Sequence, residues 1–372
     1  MAILKMLEFG TLPMNLNSVL VSVMSAIVGL ITGPVLMAID DSDTPTVPQT
    51  LLKLVHTPEV QEELGFKPND ERLLAILREL DSRWWPSRNL AEDKQRVIVE
   101  ELDGKLLASL KLLLPDDKIR RLHEIELQSQ GTRALLRNEI AAEIGIDAQQ
   151  SQDFLRMSLE TDTIARTLSS KKGNDVAAEK QLIAAREAEQ RKFLELLTNS
   201  QRTTLMKLIG KPFDTMKLKR VLPLAPELID SGEWAGGSPT TLYEQRGKVV
   251  LLHFYAFQCH NCVANFNHYT RWHDKLSSKG VSVIGIQTPE TSAERDATQV
   301  KKAAIARGFR FPVLIDLKSK NWDAWGNTMW PSVYVIDKNG YIRSWWQGEL
   351  NWQGATGDKT IEKLIDELLA ES

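Results

Sequence analysis

Two cysteines are the whole thiol content of the 372-residue chain, and both stand in one tetrapeptide, Cys259-His260-Asn261-Cys262. The species that attacks a disulfide is the thiolate, and an ordinary cysteine is mostly protonated at neutral pH. At a helix N-terminus, unpaired backbone N–H groups and the helix dipole favour the anion and lower the thiol pKa. A second cysteine three residues on lies one turn further along the same helix, within reach of the first. It can resolve the mixed disulfide that forms during exchange. The spacing therefore points to dithiol–disulfide exchange, with Cys259 as nucleophile and Cys262 as resolving thiol. His260 lies inside the motif. Protonated beside a thiolate it would stabilise the anion and make the disulfide more oxidising; as an exposed spacer it would do neither.

The flanking segments predict the elements that hold this pair. Lys248 to Phe257 is a continuous apolar run of β-branched and aromatic residues, as expected of a strand buried on both faces, and it leads directly into the cysteines. A helix is expected from the motif through Asn265 to Lys279, then a buried strand at Val281 to Ile286 and a helix from about Ala293 to Arg307. A short strand follows at Phe311 to Ile315. Ser332 to Ile336 and Tyr341 to Trp346 read as two strands joined by a hairpin-type turn at Asp337-Lys338-Asn339-Gly340, and Lys359 to Leu369 as a closing amphipathic helix. The order is β-α-β-α-β-β-α, with the dithiol where the first strong strand gives way to a helix.

These residues, with Met329-Trp330-Pro331 before the Ser332–Ile336 strand, resemble the thioredoxin fold. More narrowly they resemble the TlpA/redoxin branch, especially the C-terminal domain of DipZ-type thiol:disulfide interchange proteins. Carrying the resemblance are Arg246-Gly247-Lys248-Val249-Val250-Leu251, Ile284 to Glu290, Phe311-Pro312-Val313, and Trp325-Gly326-Asn327 followed by Trp330-Pro331. It covers about residues 222 to 372 and implies a thiol:disulfide oxidoreductase with Pro331 as a cis-proline facing the dithiol. The bend would present the Trp330 backbone to an incoming peptide. Trp330 and Trp325 are expected to line that groove, ordinary core packing being the alternative for both. Many thioredoxins carry a buried acidic residue six positions before the first cysteine; this chain has His253 there. It is either a proton acceptor for Cys262 or a packed core residue, and packing is the preferred reading because geometry decides such a role.

Outside this domain the chain is helical or apolar. Lys+Arg number 46 against Asp+Glu 49, a net charge of -3, which argues against nucleic acid as a partner. Positions 9 to 39 carry no charged residue, and Val19 to Ile39 is long enough to cross a hydrocarbon core of about 30 Å. Residues 1–39 are thus expected to be a signal peptide or a membrane anchor, which puts the protein in the periplasm or cell envelope, secreted or anchored. Residues 40–50, with Pro45 and Pro48, read as a polar linker. From 51 to 215 strong helix formers predominate and the two halves look alike. Glu59-Val60 with Glu63-Leu64-Gly65 matches Glu139-Ile140 with Glu143-Ile144-Gly145, and Leu113-Leu114-Pro115 matches Leu196-Leu197-Thr198. Gly65 and Gly145 suit the left-handed end of a helix. Thr198 with Gln201, and Asp147 with Gln150, have capping-box spacing. Leu197-Thr198-Asn199-Ser200-Gln201 also resembles the L-T-x-x-Q signature of small periplasmic chaperones of the Spy and CpxP type, although a capping box gives the same letters. Trp84-Trp85 reads as an exposed patch or, more in keeping with tryptophan, as core.

The expected architecture is multidomain: an all-α duplicated module at 51–215 and an α/β thioredoxin-like domain at 216–372. The expected reaction is exchange with partner protein thiols and disulfides through Cys259, fed by an upstream redox partner, with no cofactor or metal. A zinc site is disfavoured because no second ligand pair accompanies the two cysteines. A thiol peroxidase is disfavoured because Tyr255-Ala256-Phe257-Gln258 lacks a proline-and-threonine loop. The non-enzymatic alternative is a helical docking or chaperone-like scaffold that carries a redox domain.

Overall fold

The computed structural model describes residues 47, 51–169, 176–215, 218 and 223–371. The expected signal or anchor at 1–39 lies outside the described residues, as does the expected linker apart from Val47. No helix among the described residues is long and apolar enough to cross a membrane.

Among the described residues nine α-helices precede the sheet: α1 Leu51–His56, α2 Pro58–Leu64, α3 Glu71–Ser87, α4 Glu92–Leu113, α5 Asp116–Gln130, α6 Asn138–Ile144, α7 Ala148–Ser169, α8 Val176–Leu196 and α9 Asn199–Ile209. The remaining order is β1 Trp234–Gly236, β2 Val249–Tyr255, α10 His260–Leu276, β3 Val281–Gln287, α11 Ala297–Ala306, β4 Pro312–Ile315, α12 Lys320–Ala324, β5 Ser332–Ile336, β6 Ile342–Gln347 and α13 Gly357–Ala370. Two compact units result. One holds the described residues of Met1–Pro68 and Asp103–Val221; the other joins Asn69–Leu102 to the described residues of Leu222–Ser372. This grouping differs from a helical module continuous over 51–215, because α3 and the start of α4 count with the sheet. Local periodicity fixes that a helix has an apolar face and leaves open which core that face joins.

In the first unit two helix ends are built alike. Gly65 (φ 90°) and Gly145 (φ 76°) close α2 and α6 in the left-handed region. The N–H groups of Phe66 and Ile146 each reach back five residues, to Gln61 O and Ala141 O, both at 2.9 Å. Both capping boxes form: Asp147 Oδ1 accepts from Gln150 N–H at 2.8 Å, and Thr198 with Gln201 caps α9 reciprocally. The two box glutamines then bond each other, Gln150 Nε2 to Gln201 Oε1 at 2.9 Å and Gln201 Nε2 to Gln150 Oε1 at 2.8 Å. The Thr-x-x-Gln letters are thus used in capping and in pairing two helix starts. A core beneath them stacks Phe154 on Phe193, ring centres 4.4 Å apart.

In the second unit the strands form one sheet, ordered β1-β4-β3-β2-β5-β6. β2 pairs parallel with β3, and β3 with β4; β5 runs antiparallel to β2, and β6 to β5. This is the thioredoxin-like arrangement that the resemblance implied. Side chains alternate across a strand, so Val249, Leu251 and Tyr255 join one core with α10, α11 and α13, while Val250, Leu252 and Phe254 join another. That second core is covered by Trp85 of α3 together with Leu228, Leu242 and Trp325. Arg88, just past α3, fastens the segment: its guanidinium donates to Trp325 O and Gly326 O, each at 3.0 Å, and to Tyr334 Oη at 3.1 Å. Buried Asp81 accepts from Leu224 N–H at 2.8 Å. β1 and α12 had no expectation. At three and five residues they are too short to show a period.

Candidate functional site

β2 ends at Tyr255 and α10 begins at His260, so the chain turns from strand to helix across Cys259. Cys259 is the N-cap: its backbone is extended (φ -65°, ψ 117°), and its Sγ accepts the N–H of Cys262 at 3.3 Å. The sequence forms a helix here because Cys262, Asn265, Phe266, Tyr269 and Trp272 recur at helical spacing and are all buried on one face. Cys259 is half-buried, Cys262 is fully buried, and both are free thiols.

The two sulfurs meet opposite fields. A hydrogen bond with the Cys262 thiol holds the Cys259 thiol below its ordinary pKa, with the backbone N–H groups of Cys262 and Asn261 assisting; partial burial and Glu290 oppose this. Burial pushes Cys262 far up, and its bond to Cys259 adds to the rise. A low-pKa, reachable thiol beside a buried protonated one is the arrangement that lets the first attack and the second finish.

Among the other expected site residues, the Trp330–Pro331 bond is cis. Trp330 packs against the core that holds both cysteines and stacks on Trp322 with ring centres 3.9 Å apart. His260 is exposed at the first position of α10. His253 is fully buried and stacked on Tyr269 at 3.9 Å between ring centres, with neither ring nitrogen hydrogen-bonded. Burial lowers its pKa to about 3, so the ring is neutral at pH 7. Trp325 corrects the expectation: it is wholly buried in the opposite core, against Phe254 and Tyr334, and lines no groove. Its place in α12's C-cap, rather than in the loop before Pro331, turns it under the sheet. Among the described residues no three His, Cys, Asp or Glu side chains converge as metal ligands.

Two supporting residues had no expectation. Asn265, buried one turn beyond Cys262, donates to Gly348 O at 3.1 Å and accepts from Leu350 N–H at 2.9 Å. Gly348 N–H in turn donates to Pro331 O at 2.7 Å, so a chain of bonds links the cysteine helix to the cis-proline. The signal was an amide three residues after Cys262 on the helix's buried face. Glu294, also buried, accepts from the N–H of Gln258 at 2.7 Å and from those of Glu290 and Thr291 at 2.8 and 2.9 Å. It pins the residue before Cys259, and its signal was the capping box Thr291-Ser292-Ala293-Glu294. Beside Asn261 a shallow depression of about 310 Å³ is walled by Trp346, Gly348, Glu349 and Trp352.

Residues 210–345 match the AhpC/TSA family. The chain is 34% identical over 152 residues to Protein DipZ of Mycobacterium tuberculosis (strain CDC 1551 / Oshkosh), a match covering 40% of this chain and 21% of that protein. It is 27% identical over 157 residues to the thiol-disulfide oxidoreductase YkuV of Bacillus subtilis (strain 168), covering 42% of this chain and 99% of that one. Among solved structures it is similar to the solution structure of a thioredoxin-like protein in the oxidized form, with 27% identity, a TM-score of 0.35, and coverage of 41% of this chain and 97% of that chain. The chain spans about a fifth of the length of the DipZ relatives it matches. The C-terminal region is a thioredoxin-like redoxin domain.

Proposed function

We propose that this redoxin domain works as a thiol:disulfide oxidoreductase on partner proteins. The observation that carries the reading is the contrast between a half-buried Cys259 thiol held below its ordinary pKa and a buried Cys262 thiol held above it. In the reducing direction the Cys259 thiolate attacks one sulfur of a partner disulfide. A mixed disulfide forms and the partner's other sulfur leaves as a thiolate. Cys262 then gives up its proton and attacks Cys259 Sγ, which releases the second partner thiolate and leaves the Cys259–Cys262 disulfide. Two electrons and two protons pass to the partner, and an upstream dithiol restores the pair by the same steps in reverse. Trp330 and the depression beside Asn261, with its Trp346 and Trp352 walls, would receive the partner's backbone and apolar side chains.

The proposed setting is the periplasm or cell envelope, supported by the uncharged stretch at 9–39. Fractionation of cells expressing the full chain tests it; recovery with cytoplasmic markers overturns it. The catalytic reading is tested with Cys262→Ser. The expected result is a partner protein held on Cys259 that dithiothreitol releases. No reducible adduct, together with no disulfide reductase activity in the wild type, overturns the assignment, and turnover of hydrogen peroxide in its place favours the peroxidase alternative.

A further inference from the structure

The second unit holds another chemically distinctive site, away from the cysteines. Val250 lies near the start of β2 and faces the core opposite to that of Cys262. Five residues separate Val250 from Tyr255 at the cysteine end, roughly 16 Å along a strand. Here a cavity of about 260 Å³ is floored by Ala225, Leu242, Val250 and Ile336 and flanked by Arg78 of α3 and Arg246. Arg78 Nη2 pairs with Glu71 at 3.1 Å, while Arg78 Nε and Arg246 Nη1 are both buried and hydrogen-bonded to nothing. Burial, and then the field of Arg78, lower the pKa of Arg246, so the two guanidinium groups are near enough to repel.

The carboxylates in the same wall are engaged elsewhere. Glu227 Oε1 accepts from the N–H groups of Leu228 and Leu242 at 2.7 and 2.8 Å, and its Oε2 from Tyr243 N–H at 3.0 Å. Asp337 Oδ1 accepts from the N–H groups of Asn339 and Tyr341, and its Oδ2 pairs with Arg343 at 3.3 Å. Buried guanidinium N–H groups without an acceptor are costly, and an anion is the partner that satisfies both at once. The apolar floor excludes a bare, strongly hydrated anion as the best occupant. The volume lies below the roughly 300–1,000 Å³ usual for drug-sized ligands.

We propose that this cavity binds a small amphiphilic monocarboxylate. Its carboxylate takes the N–H groups of Arg78 and Arg246, and its apolar end lies on Leu242, Val250 and Ile336. The ligand's source is either a free short-chain acid or the C-terminal residue of a peptide; the recognition chemistry is the same. The site is independent of the dithiol reading.

The test is calorimetric titration of the full chain with hexanoate, N-acetyl-leucine and inorganic phosphate in turn. One saturable site for hexanoate or N-acetyl-leucine is expected, weakened at least about tenfold by Arg246→Gln through loss of a charge-assisted bond. Should that variant fail to fold, Arg78→Gln, on a partly exposed side chain, carries the same expectation. Tighter binding of N-acetyl-leucine supports the peptide source, and tighter binding of hexanoate supports the free acid. Phosphate binding as tight as either, no saturable binding of either monocarboxylate, or affinities unchanged in the folded arginine variants overturns the proposal.

Discussion

The two faces of the sheet are built on different terms. The face beneath the cysteines is covered by α10, α11 and α13, all supplied by the chain between and after the strands. The opposite face takes Trp85 from α3 and the Arg88 clasp, drawn from residues far earlier in the sequence. Polar groups gather in the first: His253, Tyr255 and Tyr269 lie buried there around Cys262, and burial with the nearby Cys262 charge pushes both tyrosines' pKa values up. In the second, the polar contacts of Arg88 and Asp81 tie a helix down. One face is arranged for chemistry and the other for cohesion, so damage to each has a different signature. Cys259→Ser should lower disulfide reductase activity by at least about a thousandfold, as loss of a nucleophile does, with thermal stability near that of wild type. Residual activity within about tenfold of wild type would break the contrast at its first point.

His253 gives the cysteine face a pH signature of its own. Its folded pKa is about 3 against an ordinary 6.5. Between these values the unfolded chain binds a proton that the folded protein does not. The stabilising contribution is therefore complete above about pH 6.5 and is lost as pH falls toward 3, a total of about 5 kcal/mol. His253→Phe keeps the ring stack on Tyr269 and removes the proton. Urea unfolding at pH 7 and pH 4.5 should show a clearly shallower acid loss in the variant, and equal losses in both proteins would assign the acid sensitivity elsewhere.

Trp85→Ala strikes the other face. A buried tryptophan replaced by alanine typically costs about 3–5 kcal/mol, and Trp85 is 6% exposed, edge-on to Tyr334 and Trp345. The variant should unfold at much lower urea, while Cys259 in the folded fraction alkylates with the wild-type pH profile. A shifted alkylation profile would show that the faces are coupled.

Much of the cysteine face was legible because its strands are long, β-branched and bounded by turn residues, and because both thiols share one motif. The cap at Cys259 follows from that local pattern, whereas the cis bond at Pro331 was expected only from the family resemblance. The membership of α3 did not, since its stripe of leucines would suit either unit; Trp84-Trp85-Pro86 marked a contact without naming its target. Trp325 was misplaced for a related reason. A tryptophan near a motif in sequence looks like part of its groove until the turn of the chain around it is known. Asn265 and Glu294 stayed hidden because their partners, Gly348, Leu350 and Gln258, contribute backbone atoms, which carry no sequence signal.

The smallest expected effect sharpens the contrast within the cysteine face itself, separating the thiol from the loop proposed to receive the partner. Asn265→Ala leaves the Gly348 carbonyl and the Leu350 N–H without their side-chain partner. An unpaired buried group costs about 1–3 kcal/mol, so stability should fall modestly. The Cys259 thiol draws its low pKa from Cys262 and the helix start, none of which Asn265 supplies, so its alkylation profile should hold. The Gly348 segment that bonds Pro331 O should loosen, and with it the surface proposed to position a protein disulfide. The expected kinetics are a several-fold rise in KM for a protein disulfide with kcat little changed, and unaltered reduction of a small disulfide that needs no groove. Asn265→Asp tests the same point from the acceptor side: it keeps the bond from Leu350 N–H and loses the one to Gly348 O. A fall in kcat for both substrates would instead place Asn265 in the proton handling of Cys262 and dissolve the separation.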